Sequence, residues 1–271
     1  MSMSSAPLHR RQFLTLLGAG PLATLFLGLP GVSSQTHSRK AAYTADVGIL
    51  WDAITLRLQG TMDEVIDRVA GRYEVRAAGE GDGIANRLES TGRLRDGRWT
   101  PERATSWFNV RGRESRGDIT YDWTARKIDY RFRGETFFLR RLRVVEDTLS
   151  VPSGQHVDDV MSAVLNYVDD QWKPAADGTL RTHVIRRRKR DSEGPDDVDA
   201  QPRAEIVPFE MRPGRDAETG KNGASFDMTR FSSWARTGKP ARIVFGPSRR
   251  PELIASSLIL GTTVTIRLRD Q

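Results

Sequence analysis

Apolar residues recur along most of this chain with a period of two. Ile54, Leu56 and Leu58 alternate with Thr55, Arg57 and Gln59, and Tyr73, Val75 and Ala77 repeat the pattern. Ile128, Tyr130 and Phe132 oppose Asp129, Arg131 and Arg133, while Val264, Ile266 and Leu268 oppose Thr265, Arg267 and Arg269. This spacing puts every second side chain on one face of a half-buried strand. Further strand patterns lie at 88–95, 107–110, 117–123, 136–145, 180–187, 205–210, 226–234, 241–246 and 258–268. Asp96-Gly97 is a hairpin signal, and Gly79, Gly81 and Gly83 punctuate a turn. Residues 62–69 fit a helical face but lie between two strand patterns, which favours an extended or hairpin reading. One stretch clearly changes period. Val157, Val160, Met161, Val164, Leu165 and Val168 form a stripe at spacings of three and four, predicting a helix over 156–171. Asp158 and Asp159 fall in its expected first turn, and Pro174 follows its end. Together these elements predict a mainly β fold: a strongly curved antiparallel sheet, as a half-barrel or open barrel, packed on one principal α-helix. Trp123, Tyr130, Phe132 and Phe137 lie within the strand patterns, and either fill a core or line an apolar cavity.

The first 35 residues follow a different pattern. Arg10 and Arg11 precede an uncharged apolar run at 13–29 and a small-residue stretch at 30–34. That is the order of an export signal. The string HRRQFL, with Arg10, Arg11, Phe13 and Leu14, resembles a twin-arginine signal, which the export machinery reads as an address. The apolar run falls short of the roughly 20 residues a spanning helix needs. The expected organisation is an export signal at 1–35, a short tether at 36–44 and a single β-rich domain at 45–271. That domain carries a charged loop at about 188–204 and a polar insertion at about 212–224. The expected location is the periplasm, as a soluble domain; retention of the signal as an anchor and use of the general secretion route are the rivals.

Composition narrows the chemistry. The 271 residues include no cysteine, so disulfides, thiolate nucleophiles and cysteine-ligated metals are excluded. Of four histidines, His9 and His37 lie outside the expected domain, leaving His156 and His183, too few for a zinc centre built mainly from histidine. No nucleophile elbow, zinc-protease helix, phosphate-binding loop or dinucleotide fingerprint occurs, and no cofactor is expected. Asp118, Asp122 and Asp129 read as outer-face residues of the sheet. Lysine and arginine number 42 against 35 acids, a net charge of +7. The densest basic run is Arg186, Arg187, Arg188, Lys189 and Arg190, and the acid-rich DSEGPDDVD follows it at once. A solvated loop is the first reading, with contact to an envelope anion as the alternative. An exported chain has little access to nucleic acid, so none is expected as a partner.

Three stretches share a likeness with a known family: the early strands and glycine-punctuated turn at 50–94, DVMSAVLNY at 159–167 and KPARIVF at 239–245. On them, residues 45–270 resemble the bacterial envelope proteins of domain of unknown function 3108. Asp159, Ser162, Ala163, Tyr167 and Pro240 take the positions of that family's pattern. The segment at 185–225 departs from it, being longer and more charged. The resemblance implies a curved antiparallel sheet related in shape to periplasmic lipoprotein carriers, and it implies no catalytic residue. On physical grounds Asp159 can accept backbone N–H groups at the helix start, with Ser162 and Tyr167 anchoring the helix to the sheet. The leading expectation is a non-enzymatic exported protein that binds an apolar small molecule, a lipid or an envelope protein. The alternatives are a hydrolase using clustered Asp and Glu residues, and a structural or assembly factor of the envelope.

Overall fold

The computed structural model describes residues 36–49, 51, 54–136, 138–190, 193–194, 196–232 and 235–271. The expected export signal, with Arg10, Arg11, Phe13 and Leu14, lies outside the described residues, as does Phe137. The first strands are β1 (Thr36–Ile49), β2 (Ile54–Asp67), β3 (Arg72–Gly81), β4 (Ile84–Arg95), β5 (Arg98–Val110), β6 (Arg113–Asp122), β7 (Lys127–Glu135) and β8 (Leu142–Ser150). Helix α1 (Val160–Val168) follows. Then come β9 (Leu180–Arg187), β10 (Ala204–Arg215), β11 (Asn222–Phe226), β12 (Ala241–Phe245), β13 (Pro251–Ser257) and β14 (Thr263–Asp270). Among the described residues these 14 strands make one strongly curved antiparallel sheet, nearly closed as a barrel, with a single α-helix. The sheet runs from β8 down to β1, then from β14 down to β9. Every consecutive pair of strands is therefore bonded except β8 and β9, the pair that α1 separates.

Several expected boundaries move. The supposed tether at 36–44 is the first part of β1, a central strand hydrogen-bonded to both β2 and β14. Its inward positions are filled by Ala41, Tyr43 and Ala45, and the small alanines hide the alternation that larger side chains would show. The polar insertion at 212–224 is a hairpin in which Arg212–Arg215 pair with residues 222–225 of β11. The pattern at 136–145 is not one strand, because the chain turns at 138–139 before β8 begins. The helix is shorter than 156–171. It begins after Asp159 and ends at Val168, so Asp158 and Asp159 precede its first turn. Gly79 lies inside β3 rather than in a turn. A Cβ there would meet the Tyr43 hydroxyl at 2.7 Å, and one at Gly60 would run into the Tyr43 ring. These glycines make room for Tyr43, which crosses the inner face and donates to Asn86 Oδ1 at 2.7 Å.

The gap between β8 and β9 is sealed by side chains rather than a strand ladder. Tyr130 of β7 and Val145 of β8 pack against Ala204 of β10 and Ile185 of β9. The acid-rich loop after β9 acts as a clasp. Arg143 of β8 donates to the Asp197 carbonyl at 2.7 Å, and Asp196 accepts the Phe138 and Leu139 amides at 3.0 and 2.8 Å. Asp147 of β8 accepts the Ala204 amide at 3.0 Å. Glu193, its side chain only 1 % exposed, pairs with Arg187 and lies 3.6 Å from Arg143. Burial alone would raise this carboxyl, but the two arginines hold it below its ordinary range. The basic run at 186–190 is thus divided. Arg186 pairs with Glu205 and Arg187 with Glu193, while Arg188, Lys189 and Arg190 lie in the loop.

Removing one partner of a buried ion pair strands the other charge. Glu193→Ala should therefore cost about 3 kcal/mol in urea unfolding at neutral pH. Because the folded pKa is lowered, this contribution is present above the carboxyl's unfolded value and disappears as pH falls through the folded one. Hydrogen exchange should quicken first in β8 and β9; unchanged exchange there would show that the clasp does not hold the seam.

Candidate functional site

Helix α1 crosses the barrel interior and divides its apolar contents. On one side Leu165 packs against Ile66, Tyr73, Val75 and Trp99 of β2, β3 and β5. On the other, Ala163 and Tyr167 pack with Trp172, Leu180, Met211, Ala224 and Phe245. A 14-stranded sheet encloses more space than one short helix can fill. A cavity of about 450 Å³ remains beside the helix. Its walls are Leu88, Ala104, Ile119 and Tyr121 from β4–β6, Val160, Met161, Val164 and Tyr167 from the helix, and Phe209, Phe226, Ile243 and Ile254 from β10–β13. Val160 lines this space yet is 73 % exposed, so the apolar wall is accessible beside the helix start.

The helix is fixed by buried polar groups at its two ends. Asp159 is the N-cap. Its Oδ1 accepts the Ser162 amide at 2.7 Å, and its own amide donates to Ser162 Oγ at 3.0 Å, a reciprocal capping box. Its Oδ2 accepts from Ser90 Oγ of β4 at 2.5 Å, and that hydroxyl lies 3.0 Å from the Tyr73 hydroxyl. Asp158 accepts from Arg98 and Thr182, both at 2.6 Å, and from Asn166 at 3.0 Å. Asn166 pairs with the backbone of Trp99 as another strand would, accepting its amide and donating to its carbonyl, both at 2.8 Å. Asp169, at the C-terminal end, accepts from Trp99 Nε1 at 2.8 Å and from Arg68 through both oxygens. The link to the other edge of the sheet, made by the Thr182 hydroxyl of β9, includes a backbone bond as well: the Asp158 amide donates to the His183 carbonyl at 2.8 Å.

Both Asp158 and Asp159 line the cavity together with Ser90. Burial pushes the Asp159 carboxyl above its ordinary value, against the hydrogen bonds from Ser90 and Ser162, with the charge of Asp158 adding to the rise. Tyr121 faces the same end. Burial and the charge of Asp159 raise its phenol well above the ordinary value.

Of the residues in the family-like pattern, Asp159, Ser162, Ala163 and Tyr167 converge on the helix and cavity, while Pro240 is exposed just before β12. Tyr167 stacks on Phe245 at 4.6 Å between ring centres and carries the Arg249 guanidinium 4.8 Å over its ring. The basic run at 186–190 contributes nothing to the cavity wall. Asp118 pairs with Arg103, and Asp129 accepts from Thr148 on the exposed face. Sequence reading missed Ser90, Arg98, Asn166 and Tyr121. Each lies in an unremarkable strand or helix pattern, and only the fold joins them. Among the described residues, no group of three or more His, Asp or Glu side chains is placed to hold a metal ion, and no helix is long and apolar enough to cross a membrane.

Replacing Asp159 separates its two roles. Asp159→Ala removes the cap and takes from Ser90 the acceptor of its hydroxyl, leaving it only the Tyr73 hydroxyl, which should cost about 2 kcal/mol in urea unfolding. Asp159→Asn keeps an acceptor for the Ser162 amide. The raised folded pKa means that the native carboxyl's contribution is complete below its unfolded value and is lost as pH rises through the folded one. Asp159→Asn should therefore gain on the native protein as pH rises above the unfolded carboxyl value of about 4. Equal slopes of stability against pH would contradict a raised carboxyl.

No protein-family model matches this chain, and no curated protein matches it. Among solved structures, it is similar to a β-barrel-like protein of domain of unknown function DUF1849 from Brucella abortus. That likeness has 10 % sequence identity and a TM-score of 0.39, covering 86 % of this chain and 98 % of the other.

Proposed function

We propose that this protein binds an apolar ligand inside its barrel, and that it does so as an exported protein of the bacterial envelope. The observation that carries the binding role is the cavity of about 450 Å³ between helix and sheet. Ligand sites are typically concave spaces of roughly 300–1,000 Å³ with apolar walls and a few converging polar groups. Here the walls come from three separate parts of the chain, and a few polar groups, Asp159, Ser90 and Tyr121 among them, converge on the space. Accessible Val160 provides an apolar edge by which a ligand enters.

The acids that converge on the cavity support binding over hydrolysis. Both oxygens of Asp158 are engaged by Arg98, Thr182 and Asn166, and both oxygens of Asp159 by Ser162 and Ser90. A general base needs a free oxygen within reach of the proton it takes. These carboxyls instead hold the helix in place. The export part of the proposal rests on Arg10, Arg11, Phe13 and Leu14 and the apolar run after them. The family-like pattern, with its resemblance to domain of unknown function 3108, agrees with an envelope location.

A fluorescent apolar probe such as N-phenylnaphthylamine should brighten on binding the purified protein, and dodecane should displace it. Val160→Trp, which puts a large side chain at an accessible point on the wall, should weaken the probe by about tenfold. Probe binding that this variant leaves intact would place the apolar site elsewhere. For export, Arg10→Lys combined with Arg11→Lys should move the protein from the periplasmic to the cytoplasmic fraction of a bacterial host. Unchanged fractionation would refute the twin-arginine route.

A further inference from the structure

The cavity wall carries hydrogen-bonding groups of an unequal kind. The oxygens of Asp158 and Asp159 are engaged, but two donors are not. The Tyr121 hydroxyl and the Trp172 indole Nε1 are buried and have no hydrogen-bond partner among the described residues. Both side chains line the cavity, at 5 % and 4 % exposure. An indole N–H can only donate, and a phenol left without a partner is most readily satisfied by donating. Buried polar groups are nearly always paired, so each orphan calls for an explanation, and a bound acceptor is the simplest one for two donors that line one cavity from different walls, Tyr121 from β6 and Trp172 from the cluster with Met211 and Phe245.

The charges around the cavity limit what that acceptor can be. Among the described residues the wall includes no lysine, arginine or histidine, whereas Glu89, Asp158 and Asp159 all belong to it. Three arginines next to residues of the wall are already paired. Arg98 is held by Asp158 and Thr182, Arg249 by Asp170 and the Tyr167 ring, and Arg250 by Glu64 through two bonds of 2.6 Å. A carboxylate or phosphate on the ligand would enter a low-dielectric space beside these carboxyls, where the one close cation, Arg98, is already paired with Asp158. A carbonyl oxygen faces no such penalty and satisfies a donor.

On the reading of this cavity as a ligand site, we infer that the ligand is an uncharged apolar molecule bearing carbonyl oxygen acceptors, such as a fatty-acyl ester or a long-chain ketone. Tyr121 and Trp172 bind its oxygens, and the walls from α1 and β10–β13 cover its hydrocarbon. Free fatty-acid anions and lipids whose phosphate must enter the cavity are excluded.

The test compares three molecules of equal chain length: dodecane, methyl laurate and laurate at pH 8. Each is titrated against N-phenylnaphthylamine bound to the full-length protein. Methyl laurate should displace the probe at a concentration at least tenfold below that of laurate. Tyr121→Phe and Trp172→Phe should each weaken methyl laurate by about fivefold, the loss of one hydrogen bond, and leave dodecane unchanged. Tyr121→Phe removes an unpaired hydroxyl and should not lower the melting temperature of the free protein, which separates its effect from unfolding. The inference is overturned if laurate competes as well as its ester, or if neither variant changes the affinity for the ester. Equal binding of all three molecules would sink this inference and leave the apolar site standing. Failure of the probe and of dodecane to bind would sink both.

Discussion

A sheet of 14 strands cannot bring its own inner side chains together across the middle, and the rest of this structure is arranged around that constraint. Barrels of eight strands fill themselves, but wider ones need an insert or keep a space. This chain does both. It breaks the up-and-down order once, between β8 and β9, and sends the intervening segment inward as α1. The helix fills part of the interior, and the volume it leaves over is the cavity.

Placing a helix inside a sheet creates two problems of hydrogen bonding. The helix ends must be satisfied away from water, and the sheet edges exposed by the break must be covered. The first is met by Asp159 and Ser162 at the start of α1, with Asn166 bonding to the Trp99 backbone further along. The second is met by the Asp158 amide on β9 and by the clasp of Glu193, Asp196 and Asp197 on β8. Asp158 and Asp159 thus connect three parts of the fold: the helix, the β4–β5 wall and the β9 edge. They also line the cavity, whose shape depends on the helix they hold.

Much of the architecture was legible because strand alternation is local. Val264, Ile266 and Leu268, or Ile128, Tyr130 and Phe132, declare one inward face within a few residues. The helix was legible for the same reason, although its start was not. Asp159 was expected to accept backbone N–H groups at the helix start, as it does, but only the fold shows that both acids precede the first turn and that Asp158 is a link to Arg98. The strand at 36–49 was missed because Ala41 and Ala45 fill inward positions where Tyr43 already occupies the space. The clasp was hidden by its composition: a run of arginines followed by acids reads as solvated charge until Arg143, distant in sequence, is brought against it. The two unpaired donors were invisible as well, since a tyrosine and a tryptophan in apolar surroundings give no sign of whether a partner is near.

The central claim is that the space between α1 and the sheet is a ligand site. Crystals grown with a bromine-substituted methyl laurate, with diffraction recorded at the bromine absorption edge, test it most directly. The account predicts an anomalous peak inside the barrel, bordered by Ile119, Val164, Phe209 and Ile254, with the ester oxygen within hydrogen-bond distance of Tyr121 or Trp172. A peak confined to the outer surface, or an interior closed by repacked side chains, would contradict it.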